Sequence, residues 1–167
     1  MNFTDLISYF ETLATEHVSI GHTPMEKHFF RFEVDEVLGG INRSDVNFPM
    51  LILEGYGFNF TDNRSDNVIK NRTGAFILLG RVIDHTDYSR VHEIWDELEI
   101  IGDDILGRIR RDKQSRLVPV VKDFNLEQVQ GSLIMNEIGN HAGIRYTFTI
   151  SSPQDTEYDP DKWITTE

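Results

Sequence analysis

Apolar side chains recur at three- and four-residue spacing near the start of the chain, where Leu6, Ile7, Phe10, Leu13 and Ala14 share one face between Phe3 and about His17. That period predicts an amphipathic helix of about four turns, with Thr4 or Asn2 as its N-cap and Asp5 and Glu11 toward the positive end of its dipole. Gly21, Thr23 and Pro24 break the pattern. From His28 the period becomes two: Phe30, Phe32 and Val34 alternate with Arg31, Glu33 and Asp35, the signature of a half-buried strand, which Gly39 and Gly40 end. The run from Phe48 to Glu54 is apolar on both faces and predicts a central strand, with Pro49 at its entrance where a missing N–H is tolerated. Tyr56, Phe58 and Phe60 continue the alternation around Gly55, Gly57 and Asn59, which suggests a bent strand or a bulge.

Residues 61–73 are polar and rich in turn formers, and so predict a long exposed loop between strands. Gly74 to Ile83 is strongly apolar and predicts the next strand. A helical pattern opens at Asp87, a good N-cap, and runs through Tyr88, Val91, Ile94, Trp95, Leu98, Ile101, Ile105 and Ile109. It ends among cations, which favour the negative end of a helix. Gly102 and Gly107 each weaken this helix by about 1 kcal/mol relative to alanine, which leaves room for a kink there. Phe124 to Ile138 and Ile144 to Ile150 then flank Gly139-Asn140-His141-Ala142-Gly143, a hairpin loop by composition. The last fifteen residues hold Pro153, Pro160 and five acids, with Tyr158, Trp163 and Ile164 as their main apolar groups. The order of elements predicts an α+β fold: a mostly antiparallel sheet of about five strands, with the N-terminal helix and one long helix packed on one face. Residues 1–152 read as a single domain, and 153–167 as an extended acidic tail that packs only by touching another surface.

Composition narrows the functional classes. A chain of 167 residues is long enough to bury a core without disulfides, and it has no cysteine, which removes disulfides, thiolate metal sites and cysteine nucleophiles together. No run approaches the roughly 18 apolar residues of a membrane span. The opening Met1 to Asp5 lacks the basic and apolar regions of a secretory signal, so none is expected. Acidic side chains outnumber basic ones 28 to 16, a net charge of −12 that argues against gripping phosphate backbones over the whole surface. Arg108, Arg110, Arg111, Lys113 and Arg116 concentrate positive charge at the end of the long helix.

Candidate chemistry is sparse. Asp84-His85-Thr86-Asp87 with His92-Glu93 is the best metal constellation, set against a reading in which Asp87 merely caps the helix and His92 and Glu93 face solvent. Glu93, Asp96, Glu97, Asp103 and Asp104 form an acidic flank that reads as a solvated helix face rather than an acid–base pair. His17, His22 and His28 are scattered through a loop entry. There is no nucleophile elbow or phosphate-binding loop, and Gly39-Gly40 lacks the third glycine of a dinucleotide site, so a turn explains it better. Asn-x-Ser/Thr sequons begin at Asn2, Asn42, Asn59, Asn63 and Asn71 and read as products of an asparagine-rich composition. No cofactor is expected.

The layout resembles the tail-terminator and tail-completion proteins at the neck of tailed bacteriophages. The resemblance is carried by the leading amphipathic helix, the strand from Phe48 to Glu54, the segment 61–73, the long helix 87–112 and the closing strand from Ile144 to Ile150. It spans nearly the whole chain as an order of elements, although it does not call for the tail at 153–167. It implies a non-enzymatic virion protein, assembled in the host cytoplasm. Such subunits form a ring that joins tail tube to head, touches tail-tube and head–tail connector proteins, and lets DNA pass without sequence-specific binding. A ring requires head-to-tail contacts that close on themselves, and the basic helix end and acidic tail offer complementary charge for them. Interface candidates are Arg64, Asp66, Asn67 and Ile69 in the polar segment, Arg108, Arg110, Arg111 and Lys113 at the helix end, and Tyr158 and Trp163 in the tail. Two rivals remain: a small metal- or ligand-binding enzyme domain with a site between sheet and long helix, and an acidic adaptor that binds one partner.

Overall fold

A computed structural model describes residues 2–31, 46–62, 67–84, 86–136 and 141–164. Helix α1 spans Phe3–Glu16. Asn2 caps it: Asn2 Oδ1 accepts from the Asp5 amide at 2.8 Å, and the Asp5 carboxylate accepts from the Asn2 amide at 3.3 Å. This reciprocal box satisfies two of the helix's orphan donors. Four strands follow, β1 (Phe29–Phe30), β2 (Met50–Leu53), β3 (Gly57–Asp62) and β4 (Val68–Arg81), before the long helix α2 (Tyr88–Ser115). A 3₁₀ turn at Pro119–Val121 leads into β5 (Phe124–Asn136) and β6 (His141–Pro153), and a second turn lies at Pro160–Lys162. The expected strand from His28 is described only as β1, since most of it lies outside the described residues. The paired glycines Gly39-Gly40 lie outside them too.

The six strands form one sheet in the order β1-β2-β4-β6-β5, with β3 on β4 beyond the end of β2. Every pairing is antiparallel except that of β1 with β2. The α+β expectation holds, with six strands where about five were expected. β4 organises the sheet. Its second half pairs with β2, its first half with β3, and its whole length with β6.

That pairing corrects the predicted loop at 61–73. Thr61 and Asp62 end β3, and Val68 to Thr73 begin β4. These positions are polar because the body covers this end of the sheet only in part: every residue of β3 is exposed, and Val68 to Asn71 are half-buried. The predicted hairpin loop also shrinks, since His141, Ala142 and Gly143 belong to β6. Gly143 serves close approach rather than a turn, because a Cβ there would strike the Leu78 carbonyl and the Leu79 side chain.

Alternation along β4 and β6 builds the core. Phe76, Leu78, Tyr146 and Phe148 point to the helical face, where α1 contributes Leu6, Phe10 and Leu13 and α2 contributes Val91, Ile94, Leu98, Ile101, Ile105 and Ile109. Phe10 sits 5.4 Å from Phe76 and 5.9 Å from Phe148 between ring centroids, and Tyr146 stacks on Phe76 at 4.8 Å. A smaller cluster of Met50, Ile52, Ile77 and Leu79 occupies the opposite face, joined by Phe30, Val46, Phe48 and Ile134. α2 runs as one continuous helix through both glycines. Gly102 is the place where the Tyr146 ring lies directly on the helix backbone.

Candidate interaction surfaces

The first half of β4, the last residues of β6 and all of β3 extend past the helices as a three-stranded arm. Its two faces differ. On one, Phe58 and Phe60 remain 58% and 51% exposed, their rings meeting edge to face at 5.9 Å, with the Lys70 ammonium 4.0 Å above Phe58. Beside them Arg72, almost wholly buried, donates from Nη1 to Ser152 Oγ at 2.8 Å. On the other face Asn71 Nδ2 donates to Asn59 and Thr61, while Ser151 Oγ donates to Asn71 Oδ1, a polar network that fixes the register of all three strands. Among the described residues no strand pairs with the outer edge of β3. Of the predicted interface residues in this region, Arg64 and Asp66 lie outside the described residues, Asn67 precedes β4 and is exposed, and Ile69 is half-buried within β4 opposite Thr61 and Pro153.

The basic end of α2 divides into committed and available cations. Arg108 holds the Asp112 carboxylate at 3.0 Å and Glu16 of α1 at 2.8 Å, and Tyr9 Oη donates to the same buried Asp112 at 2.9 Å. These bonds clamp α1 against α2. The hydrogen bond to Asp112, followed by that to Glu16, pushes the Arg108 guanidinium above its ordinary pKa. Burial, reinforced by the hydrogen bond to Asp112, pushes the Tyr9 hydroxyl far up. Lys113 Nζ donates to the Phe124 carbonyl at 2.7 Å, tying the helix end to β5. Arg108 and Lys113 therefore hold the fold together, a role that the expected interface reading did not assign them. Arg110 and Arg111 stay exposed, and Arg116 caps the helix in a left-handed conformation (φ 58°).

An open groove of about 1300 Å³ lies between this helix end and the start of β5. Arg110, Lys113, Arg116 and Lys122 line it together with Asp123 and Glu127, four cations against two acids. Leu126 supplies its exposed apolar side chain, beside the buried Phe124, where the pairing of β5 with β6 shifts between Asn125 and Gln130. A bulge at a sheet edge re-aims side chains in this way.

The C-terminal segment leaves β6 with the Gln154 amide donating to the Val68 carbonyl at 2.9 Å. Asp159 caps the turn at Pro160–Lys162, and Tyr158 stacks on Trp163 at 6.1 Å. Both rings stay open to solvent, at 67% and 64% exposure.

The other sequence candidates take local roles. Asp84 Oδ1 accepts from the amide and hydroxyl of Thr86, Asp87 caps α2 by accepting from the Arg90 amide, and His92 stacks on Trp95. His85 lies outside the described residues, and among those described no three His, Cys, Asp or Glu side chains converge on one point. Along the acidic flank, Glu93 and Glu97 share Arg90 and Asp104 faces His17 at 3.5 Å. The histidines tie α1 to β1: His22 Nδ1 accepts from the His28 and Phe29 amides, and His28 Nδ1 lies 2.8 Å from the Pro49 carbonyl. Burial holds the His22 imidazole below its ordinary pKa. Between sheet and α2 the centre is filled by Phe76, Tyr146, Leu98 and Ile105. A depression of about 530 Å³ remains beside Gly80 and Ile94, rimmed by Arg81, Arg90 and Glu97. No described helix is long and apolar enough to cross a membrane.

No protein-family model matches the chain, and no curated protein matches it. The exposed arm and the groove residues Lys122 and Leu126 were not singled out from sequence. Their signals were present but weak: Phe58 and Phe60 keep a strand period with no apolar partner opposite in the polar run, and Lys122 follows the cationic helix end by only a few residues.

Proposed function

We propose that this chain is a non-enzymatic structural subunit of a tailed phage or phage-derived tail, a ring-forming tail terminator or neck component that joins tail tube to head. One observation carries the reading. β3 is exposed along its whole length, its outer edge is unpaired among the described residues, and two phenylalanines stand out on the arm that holds it. Isolated soluble domains guard such edges with lysine, proline or a covering loop, because an open edge templates pairing with another chain. β3 carries neither lysine nor proline, and among the described residues no strand covers its edge. A subunit built for assembly gains from leaving the edge open, and a contact between unlike surfaces repeated around a rotation axis closes into a ring. The net charge of −12 suits a conduit that lets DNA slide through without adhesion.

Native mass spectrometry and light scattering test the proposal on the intact chain and on a Phe58→Ser/Phe60→Ser variant. The expected result is a discrete closed oligomer for the unaltered chain and a smaller, still folded species for the variant. Equal oligomeric states for the two would remove the arm from the assembly.

A further inference from the structure

We infer that the acidic C-terminal segment of one copy docks into the basic groove at the end of α2 in the next copy, so that the tail is the strap joining neighbouring subunits. The inference rests on the ring reading above and names one of its contacts. Between Asp155 and Lys162 the segment carries four carboxylates and one ammonium, and the groove wall carries the opposite excess. Of its cations, Arg110, Arg116 and Lys122 make no ion pair among the described residues, whereas Lys113 is bonded to a carbonyl. Charge alone steers and orients; anchoring takes desolvated apolar contact. Tyr158 and Trp163 supply it, already stacked by the turn at Pro160–Lys162 and open to solvent, and the exposed Leu126 gives them an apolar contact in the groove.

The occupant comes from another copy because of where the segment leaves. β6 lies between β4 and β5, and the Gln154 bond to Val68 draws the chain to the β4 side, while the groove runs from Ser151 of β6 toward β5 and the end of α2. Unlike donor and acceptor surfaces facing different sides of β6 suit a head-to-tail joint.

The test uses a fluorescent peptide of residues 153–167, a chain ending at Gln154, and a full-length Arg110→Glu/Lys122→Glu chain whose fold is checked by circular dichroism. The peptide is expected to bind the shortened chain, to weaken about tenfold on charge reversal of the groove, and to weaken further as salt rises. A peptide carrying Trp163→Ala should bind less well at every salt concentration. Mixing the shortened and groove-reversed chains should give a mixed complex, since one supplies the groove and the other the tail. No peptide binding, or binding unaffected by groove reversal, overturns the inference and leaves the ring reading standing if the intact chain still assembles. Peptide binding without any mixed complex places the tail on its own chain and also overturns it. Peptide binding and a mixed complex, with no closed oligomer of the intact chain, would sustain the docking and defeat the ring.

Discussion

Two glycines in one helix have opposite meanings. A Cβ on Gly102 would drive into the Tyr146 ring, which is held between α2 and Phe76, whereas a Cβ on Gly107 would meet nothing within 4 Å. Gly102→Ala should therefore destabilise the fold by about 1–3 kcal/mol through overpacking. Gly107→Ala should stabilise it by about 1 kcal/mol through helix propensity alone. Urea unfolding of the two variants beside the unaltered chain reads both signs. Tyr146 itself sets an alkaline limit. Burial first, then the nearby Asp103 and Glu99 carboxylates, push its hydroxyl from 10.0 to about 12. The unfolded chain releases this proton near its ordinary value while the fold retains it, so the contribution is whole below pH 10.0 and declines as pH rises toward about 12. Tyr9 shifts in the same direction. Denaturant midpoints measured across that interval should fall, and Tyr146→Phe should flatten the decline; a midpoint independent of pH there would contradict the assignment.

Elements buried on one side were readable and the others were not. Both long helices follow from their three-and-four period, and Asn2 and Asp87 cap them as their composition suggests. β6 shows its alternation because one face meets the core. The beginning of β4 is silent for the converse reason: in an arm only partly covered by the core, Lys70, Asn71 and Thr73 satisfy a strand without any apolar period, and polarity imitates a loop. Likewise Gly143 imitates a turn when it serves close packing. Hydrogen exchange tests the arm as an element. In the unassembled subunit the outward amides of β3 should exchange quickly while those of β4, held between β3 and β6, stay protected; on assembly the β3 amides should slow. Fast exchange along both strands would mean that the arm is not a stable sheet.

At the scale of the whole molecule, the sequence located surfaces better than it located bonds. Arg110, Tyr158 and Trp163, interface candidates from the sequence, are exposed in the fold. Arg108 and Lys113 stand among the interface candidates, but their fold-holding bonds were not foreseen: beside the local Asp112, Arg108 reaches Glu16, 92 positions earlier, and Lys113 reaches the Phe124 carbonyl beyond the turn after α2. Such long-range bonds leave no local pattern. Together the edge of β3, unpaired among the described residues, the cationic groove and the acidic tail give the molecule unlike surfaces, which the proposed cyclic assembly requires. Native mass spectrometry of the purified chain over a range of concentrations, with electron microscopy of the same sample, tests this most directly. The account predicts a single closed species of more than two identical subunits around a central opening, and a chain that remains a monomer or a two-fold dimer at every concentration would contradict it.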